Sequence, residues 1–169
     1  MDLNVSESLI VINTLAVKRA ALRGGLWSTA GKSAEKYLML TLCKLYQVPE
    51  NNYNASHFVK DRGKKVDREI DFVLLNNGKE YLCEVKLMGK GNPESADAII
   101  ARDSNVFVAD TLSQQNKNQC DQLGVNWIAL RDENGYKRFG LALEKLNIPH
   151  TDYNGDLDID LPKILEELF

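Results

Sequence analysis

Three side chains define the chemistry this sequence can attempt: Asp71 in Glu69-Ile70-Asp71, and Glu84 and Lys86 in Glu84-Val85-Lys86. Between the two segments stands Asn77-Gly78, the strongest short-range signal for a two-residue type I′ turn, flanked by strand-forming runs from Glu69 to Leu75 and from Lys79 to Leu87. With that pair as the loop, Asn76 faces Lys79, and counting outward sets Asp71 against Glu84, Cβ atoms roughly 4.5–5.5 Å apart. Alternation then puts Asp71, Val73, Leu82, Glu84 and Lys86 on one face, and Phe72, Leu74, Tyr81, Cys83 and Val85 on the other. Two opposed carboxylates repel, and a divalent cation held through oxygen offsets that repulsion. Mg²⁺ usually takes only one or two protein carboxylates and keeps several waters, so this short ligand list suits it. Lys86 supplies a positive charge that can orient an attacking water. The plainer alternative is a solvent-facing hairpin side with Lys86 bridging the acids. Val73, Leu75 and Leu82 on the same face argue against a fully wet surface.

A hairpin alone cannot position such a group, and the flanking sequence offers the rest of a sheet and its helices. A helix is expected over Ser6 to Leu22, stopped by Gly24-Gly25, and a second from Gly31 to Gln47, ended by Val48-Pro49. On the second helix Glu35 heads the stripe Leu38, Met39, Leu42, Leu45, so it points toward the core side. A Glu near a helix start also gains from the macrodipole and can pair with Lys32 or Lys36. After the hairpin, Gly89 to Pro93 breaks the chain, and Pro93 starts a short helix through Ala101. Val106 to Ala109 is expected as a buried strand, Ser113 to Leu123 as a polar helix ended by Gly124, and Val125 to Leu130 as another strand. Strand, helix, strand implies parallel crossovers, hence a mixed sheet. Lys137 to Leu143 is expected as an edge strand and Leu161 to Phe169 as a terminal helix, with Asp152 to Asp160 loosely ordered between them.

The chain has 169 residues and a net charge of -3. That length fits one domain: a helical appendage over 1–25, a core over 31–130 and a C-terminal extension over 131–169. Cys43, Cys83 and Cys120 are odd in number and widely spaced, which argues against a disulfide framework or a zinc cluster and points to reduced thiols. No basic leader and no long uncharged apolar window occurs, so the expected location is the cytoplasm. The weak negative charge argues against coating of nucleic acid by bulk electrostatics, while leaving room for a local basic face.

A helix glutamate, an Asp opening a strand, Glu-x-Lys on the next strand, then a helix and a parallel strand resemble the PD-(D/E)xK nuclease superfamily over Gly31 to about Leu130. The resemblance implies a restriction-endonuclease-like αβββαβ core. Asp71, Glu84 and Lys86 match the superfamily's metal-binding and catalytic triad, and Glu35 its frequent helix glutamate. Ile70 stands where the name-giving proline would be. Within the superfamily, Glu84 to Leu112 most resembles type II restriction endonucleases of the CfrBI kind, whose chains run longer, so a fragment, a small subunit or a compact relative is expected. The activity implied by the resemblance is that of a metal-dependent endonuclease acting on double-stranded DNA, with Mg²⁺, replaceable by Mn²⁺, as cofactor. The metal lowers the pKa of a water that attacks phosphorus. Since one site cuts one strand, a homodimer or partner subunit is implied. A Holliday-junction resolvase, a nicking or repair nuclease, and a DNA-binding module without chemistry remain as alternatives.

The remaining motifs are weaker. Leu26 to Ser33 superficially suggests a phosphate loop, but Leu26 occupies the place of the first required glycine, so no nucleotide cofactor is expected. Gly31-Lys32-Ser33 is better read as the start of the Glu35 helix. Lys64, Lys65 and Arg68 before the hairpin, and Lys90 and Arg102 after it, are candidate DNA-phosphate contacts. Gln114, Gln115, Asn116 and Lys117 open a helix with amides of the kind that read adenine, or simply form a polar outer face.

Overall fold

The computed structural model describes residues 27–55, 58–59, 68–69, 72–87 and 104–168. The helices expected over Ser6 to Leu22 and Pro93 to Ala101, and the appendage over 1–25, lie outside them. Among the described residues four α-helices accompany a five-stranded mixed sheet and a separate two-stranded ladder. Helix α1 spans Trp27–Leu45. It begins four residues earlier than the glycine-based reading, so Gly31-Lys32-Ser33 lies inside the helix and its amides are not a helix start. A glycine costs about 1 kcal/mol in a helix interior, too little to stop one whose next turns bury Leu38, Met39, Leu42, Cys43 and Leu45. Continuous helix through these residues is also incompatible with a phosphate loop.

Strands β1 (Tyr53–Asn54), β4 (Phe72–Asn76), β5 (Lys79–Lys86), β6 (Val106–Ala109) and β7 (Asn126–Ala129) lie side by side in that order. Strands β2 (Phe58–Val59) and β3 (Arg68–Glu69) make the separate antiparallel pair, and Ile70 and Asp71, between β3 and β4, lie outside the described residues. The hairpin register is the counted one: Asn76 pairs with Lys79, and Phe72 with Cys83. Its turn needs positive φ at both loop residues, and Asn77 at 49° and Gly78 at 76° supply it. Strand β1 is antiparallel to β4, whereas β6 is parallel to β5 and β7 to β6.

Period-two alternation divides the apolar side chains between two layers. Phe72, Leu74, Tyr81, Cys83, Val85, Val106, Val108 and Ile128 pack with the α1 stripe in the larger core. Phe107, Ala109 and Ala129 take the opposite face, with Leu112, Cys120 and Val125. Cys120 comes from helix α2 (Gln114–Leu123), whose ends follow the sequence signals: Ser113 Oγ accepts the Asn116 N–H at 3.2 Å, and Gly124 closes the helix at φ 69°.

The edge strand expected over Lys137 to Leu143 is helix α3, Lys137–Lys145. The alternation of Phe139, Leu141 and Leu143 is overruled by the helical spacing of Phe139, Ala142 and Leu143, all buried, while Leu141 is exposed. Phe139, Leu143 and Ile148 enter the larger core, so the C-terminal extension shares the core of 31–130. Helix α4 spans Leu157–Leu168, starting before the expected Leu161. Asp156 Oδ1 accepts the Asp158 N–H at 2.9 Å, and Asp158 and Asp160 favour the positive end of the helix dipole, which orders the acidic stretch. Lys44 to Glu167 at 2.9 Å ties α4 to α1. Among the described residues no helix is long and apolar enough to cross a membrane.

This packing has two measurable consequences. Alanine normally exceeds glycine in a helix by about 1 kcal/mol, yet Gly140→Ala is expected to lower stability. A Cβ there lies 2.6 Å from Tyr46 Cε1, and that ring is buried against Phe139 and Tyr153. An overpacking cost of about 1–3 kcal/mol outweighs the propensity gain; a raised urea midpoint would show that the ring yields freely. The three cysteines form no disulfide and are buried. Burial, then the neighbouring Cys83, pushes the Cys43 thiol well above its ordinary value. Burial, then Asp121, pushes Cys120 to about 11. At pH 8 both are therefore protonated and slow toward a thiol-reactive dye until guanidinium unfolds the chain. Rapid labelling of either thiol in the native protein would contradict this.

Candidate active site

Strand β5 carries the charged pair. Phe107 of β6 is the parallel partner of Glu84, and the Glu84 side chain is 3 % exposed, with Lys86 Nζ at 2.9 Å from Oε1. Lys86 itself is 29 % exposed. The pair lies on the face of Val73, which is buried, and Leu82, which is half-buried. A carboxylate this deep needs a charge partner and hydrogen bonds, because removing it from water unpaired costs several kcal/mol. The Lys86 head meets that need and still reaches solvent. Glu84 is thus locked, while the Lys86 side chain is partly exposed.

The other expected residues are distributed more widely. Asp71 lies outside the described residues, as do Lys64, Lys65, Lys90 and Arg102; Arg68 is described only as a backbone position in β3. Glu35 is half-buried on α1. The stripe below it packs on the Cys83 and Val85 face, opposite to Glu84, so a role beside Glu84 requires reaching past the end of the sheet. Gln114 and Gln115 are exposed, and Gln114 Nε2 donates to Asn118 Oδ1 at 2.9 Å. Asn116 is buried at 7 %. Lys117 pairs with Asp132 Oδ2 at 2.6 Å and lies 5.2 Å from the Trp127 ring centre. These last two residues are therefore engaged by the fold rather than presented on its surface. Among the described residues no three His, Cys, Asp or Glu side chains gather into a metal-holding group.

Two residues escaped the sequence reading. Asp110 directly follows β6 and is 5 % exposed, and Arg131 follows β7 with Nη2 at 3.8 Å from Asp110 Oδ2. The available signal was positional: each is charged and stands just beyond the carboxyl end of a buried parallel strand, where open α/β sheets bind ligands.

A buried acid paired with an accessible ammonium at the carboxyl end of a sheet strand suits a hydrolase acting on an anionic substrate. The comparison with protein families specifies which. The family model described as CfrBI restriction endonuclease matches residues 1–117 of the 169, and the chain belongs to that family, type II restriction endonucleases that hydrolyse DNA phosphodiester bonds. No curated protein and no solved structure matches.

The anchoring of Lys117 generates a testable outcome. Lys117→Met removes a charge-assisted hydrogen bond and a cation–π contact, and the protein is expected to lose about 1–2 kcal/mol of stability. Urea unfolding checks this, and an unshifted midpoint would mean that water replaces both contacts without loss.

Proposed function

We propose that DNA cleavage by this protein is Mg²⁺-dependent and takes place on a restriction-endonuclease-like αβββαβ core at Asp71, Glu84 and Lys86. The observation that carries the reading is the buried Glu84 carboxylate in contact with the accessible Lys86 ammonium. The order α1, β1, β4, β5, β6, with an antiparallel meander followed by a parallel strand, supports the core. The register through Phe72 and Cys83 supports counting Asp71 as the partner of Glu84.

The donor set fits a hard divalent cation, since Glu84 offers anionic oxygen. Glu84 and Asp71 would hold the metal, with Glu35 contributing through water or a second metal. When bound, Mg²⁺ supplies a lowered water pKa and charge stabilisation at phosphorus. Lys86 orients the attacking water and offsets negative charge gathering on the phosphoryl oxygens. Burial keeps Glu84 in one orientation, so its geometry costs little reorganisation during the reaction. Lys64, Lys65, Arg68, Lys90 and Arg102 hold backbone phosphates, and Gln114 and Gln115 present amides to base edges, with Asn116 and Lys117 anchoring the helix that carries them. A double-strand cut uses two such sites, hence a homodimer or a partner subunit.

Supercoiled plasmid incubated with the protein should yield discrete linear fragments with Mg²⁺ or Mn²⁺ and none with EDTA. Asp71→Asn, Glu84→Gln and Lys86→Ala should each slow cutting by about 10²–10³-fold, the scale of losing one preorganised charge. Each variant should retain the wild-type circular dichroism spectrum. A folded Lys86→Ala variant that cuts at the wild-type rate would overturn the assignment.

A further inference from the structure

The parallel strands end in register: Lys86 pairs with Ala109, and Ala109 with Ala129. Just past this row stand Asp110 and Arg131. The Asp110 carboxylate is buried, and its Oδ1 accepts the Thr111 N–H at 2.9 Å. The Arg131 N–H donates to the Asp110 carbonyl at 2.9 Å, which ties the turn after β7 to the residue after β6. The guanidinium then sits at 3.8 Å from Asp110 Oδ2 with its side chain one-third exposed. At that separation the two charges attract without a close hydrogen bond, so the N–H fork is aligned by Asp110 but not consumed by it. Neighbouring cations differ. Arg138 stacks at 3.3 Å on the Trp127 ring centre and donates to the Trp127 carbonyl, and Lys117 is held by Asp132.

We propose that Arg131 is a DNA-phosphate-binding residue of the same active site, aligned by Asp110 to hold the backbone beside the phosphate on which Glu84 and Lys86 act. The proposal rests on the nuclease chemistry given above for that pair. Neighbouring strands lie about 4.8 Å apart, so β7 is about 10 Å from the Lys86 strand, which suits a phosphate flanking the scissile one. A guanidinium fork matches two phosphate oxygens at once. Arg131 lies beyond the 1–117 stretch that the family model matches.

The test is fluorescence anisotropy of a mixed-sequence DNA duplex in EDTA, titrated with wild-type, Arg131→Ala and Arg131→Lys protein across a salt series. Loss of one phosphate contact lowers the slope of log affinity against log salt by about 0.9. The alanine variant should show that loss, and the lysine variant should recover the slope with an unchanged melting temperature. A wild-type slope for Arg131→Ala overturns the proposal. So does a lost slope that lysine fails to restore together with a lowered melting temperature, which would make the Asp110 pair purely structural. Wild-type plasmid cutting that ignores Mg²⁺, with the slope difference intact, would instead remove the metal chemistry assigned to Glu84 and keep the Arg131 contact.

Discussion

The positive φ angles of Asn77 and Gly78 constrain everything built on this sheet. A two-residue turn of that hand matches the right-handed twist of the strands and allows one register. Because side chains alternate with period two, a slip of one residue would exchange the faces: Cys83 and Val85 would leave the larger core and Glu84 would be driven into it. The apolar contacts of Cys83 and Val85 with α1 resist that slip, and so does the cost of moving a carboxylate into an all-apolar layer. Turn chemistry and core packing therefore select the same arrangement. The placement of Glu84 beside Lys86 is a by-product of that agreement.

The charged pair is destabilising in one respect and stabilising in another. Burial of Glu84 beside Val73 and Phe107 removes it from water, and the 2.9 Å contact to Lys86 offsets that loss in part. Pairs of this depth are often no better for stability than apolar residues of the same shape. On the proposed assignment the charge has a use, at the phosphate. The parallel strands matter for the same reason. Two successive crossovers bring the carboxyl ends of β5, β6 and β7 into one row, so residues distant in sequence, Lys86, Asp110 and Arg131, flank a common rim.

Most of this geometry was legible because it depends on local rules. The hairpin register follows from the Asn-Gly turn, the two faces from alternation, and the ends of α2 from Ser113 and Gly124. The start of α1 was not legible, since Gly31 reads as a boundary until tertiary packing of the later turns is known. Helix α3 was misread because Phe139, Leu141 and Leu143 also fit a strand; what selects the helix is the close seating of Gly140 under Tyr46, a contact across most of the chain length. Asp110 and Arg131 were missed because their pairing depends on β6 and β7 being parallel neighbours in register. Single-chain patterning indicates that such strands exist, but not which of their flanking residues meet.

Helix α3 and the turn that leads into it explain why, among the described residues, the sheet stops at β7. The N–H groups of Asn126 and Leu130 turn inward to Asn105 and Ala109, so Trp127 and Ala129 present their carbonyls outward. Arg138 Nε donates to the Trp127 carbonyl at 3.0 Å, and the Asp132 N–H donates to the Ala129 carbonyl at 3.1 Å. Gly135 approaches that same carbonyl so closely that a Cβ would collide with it. An edge whose acceptors are already taken cannot pair with another strand without breaking these bonds. Extension of the sheet through β7 is thereby disfavoured.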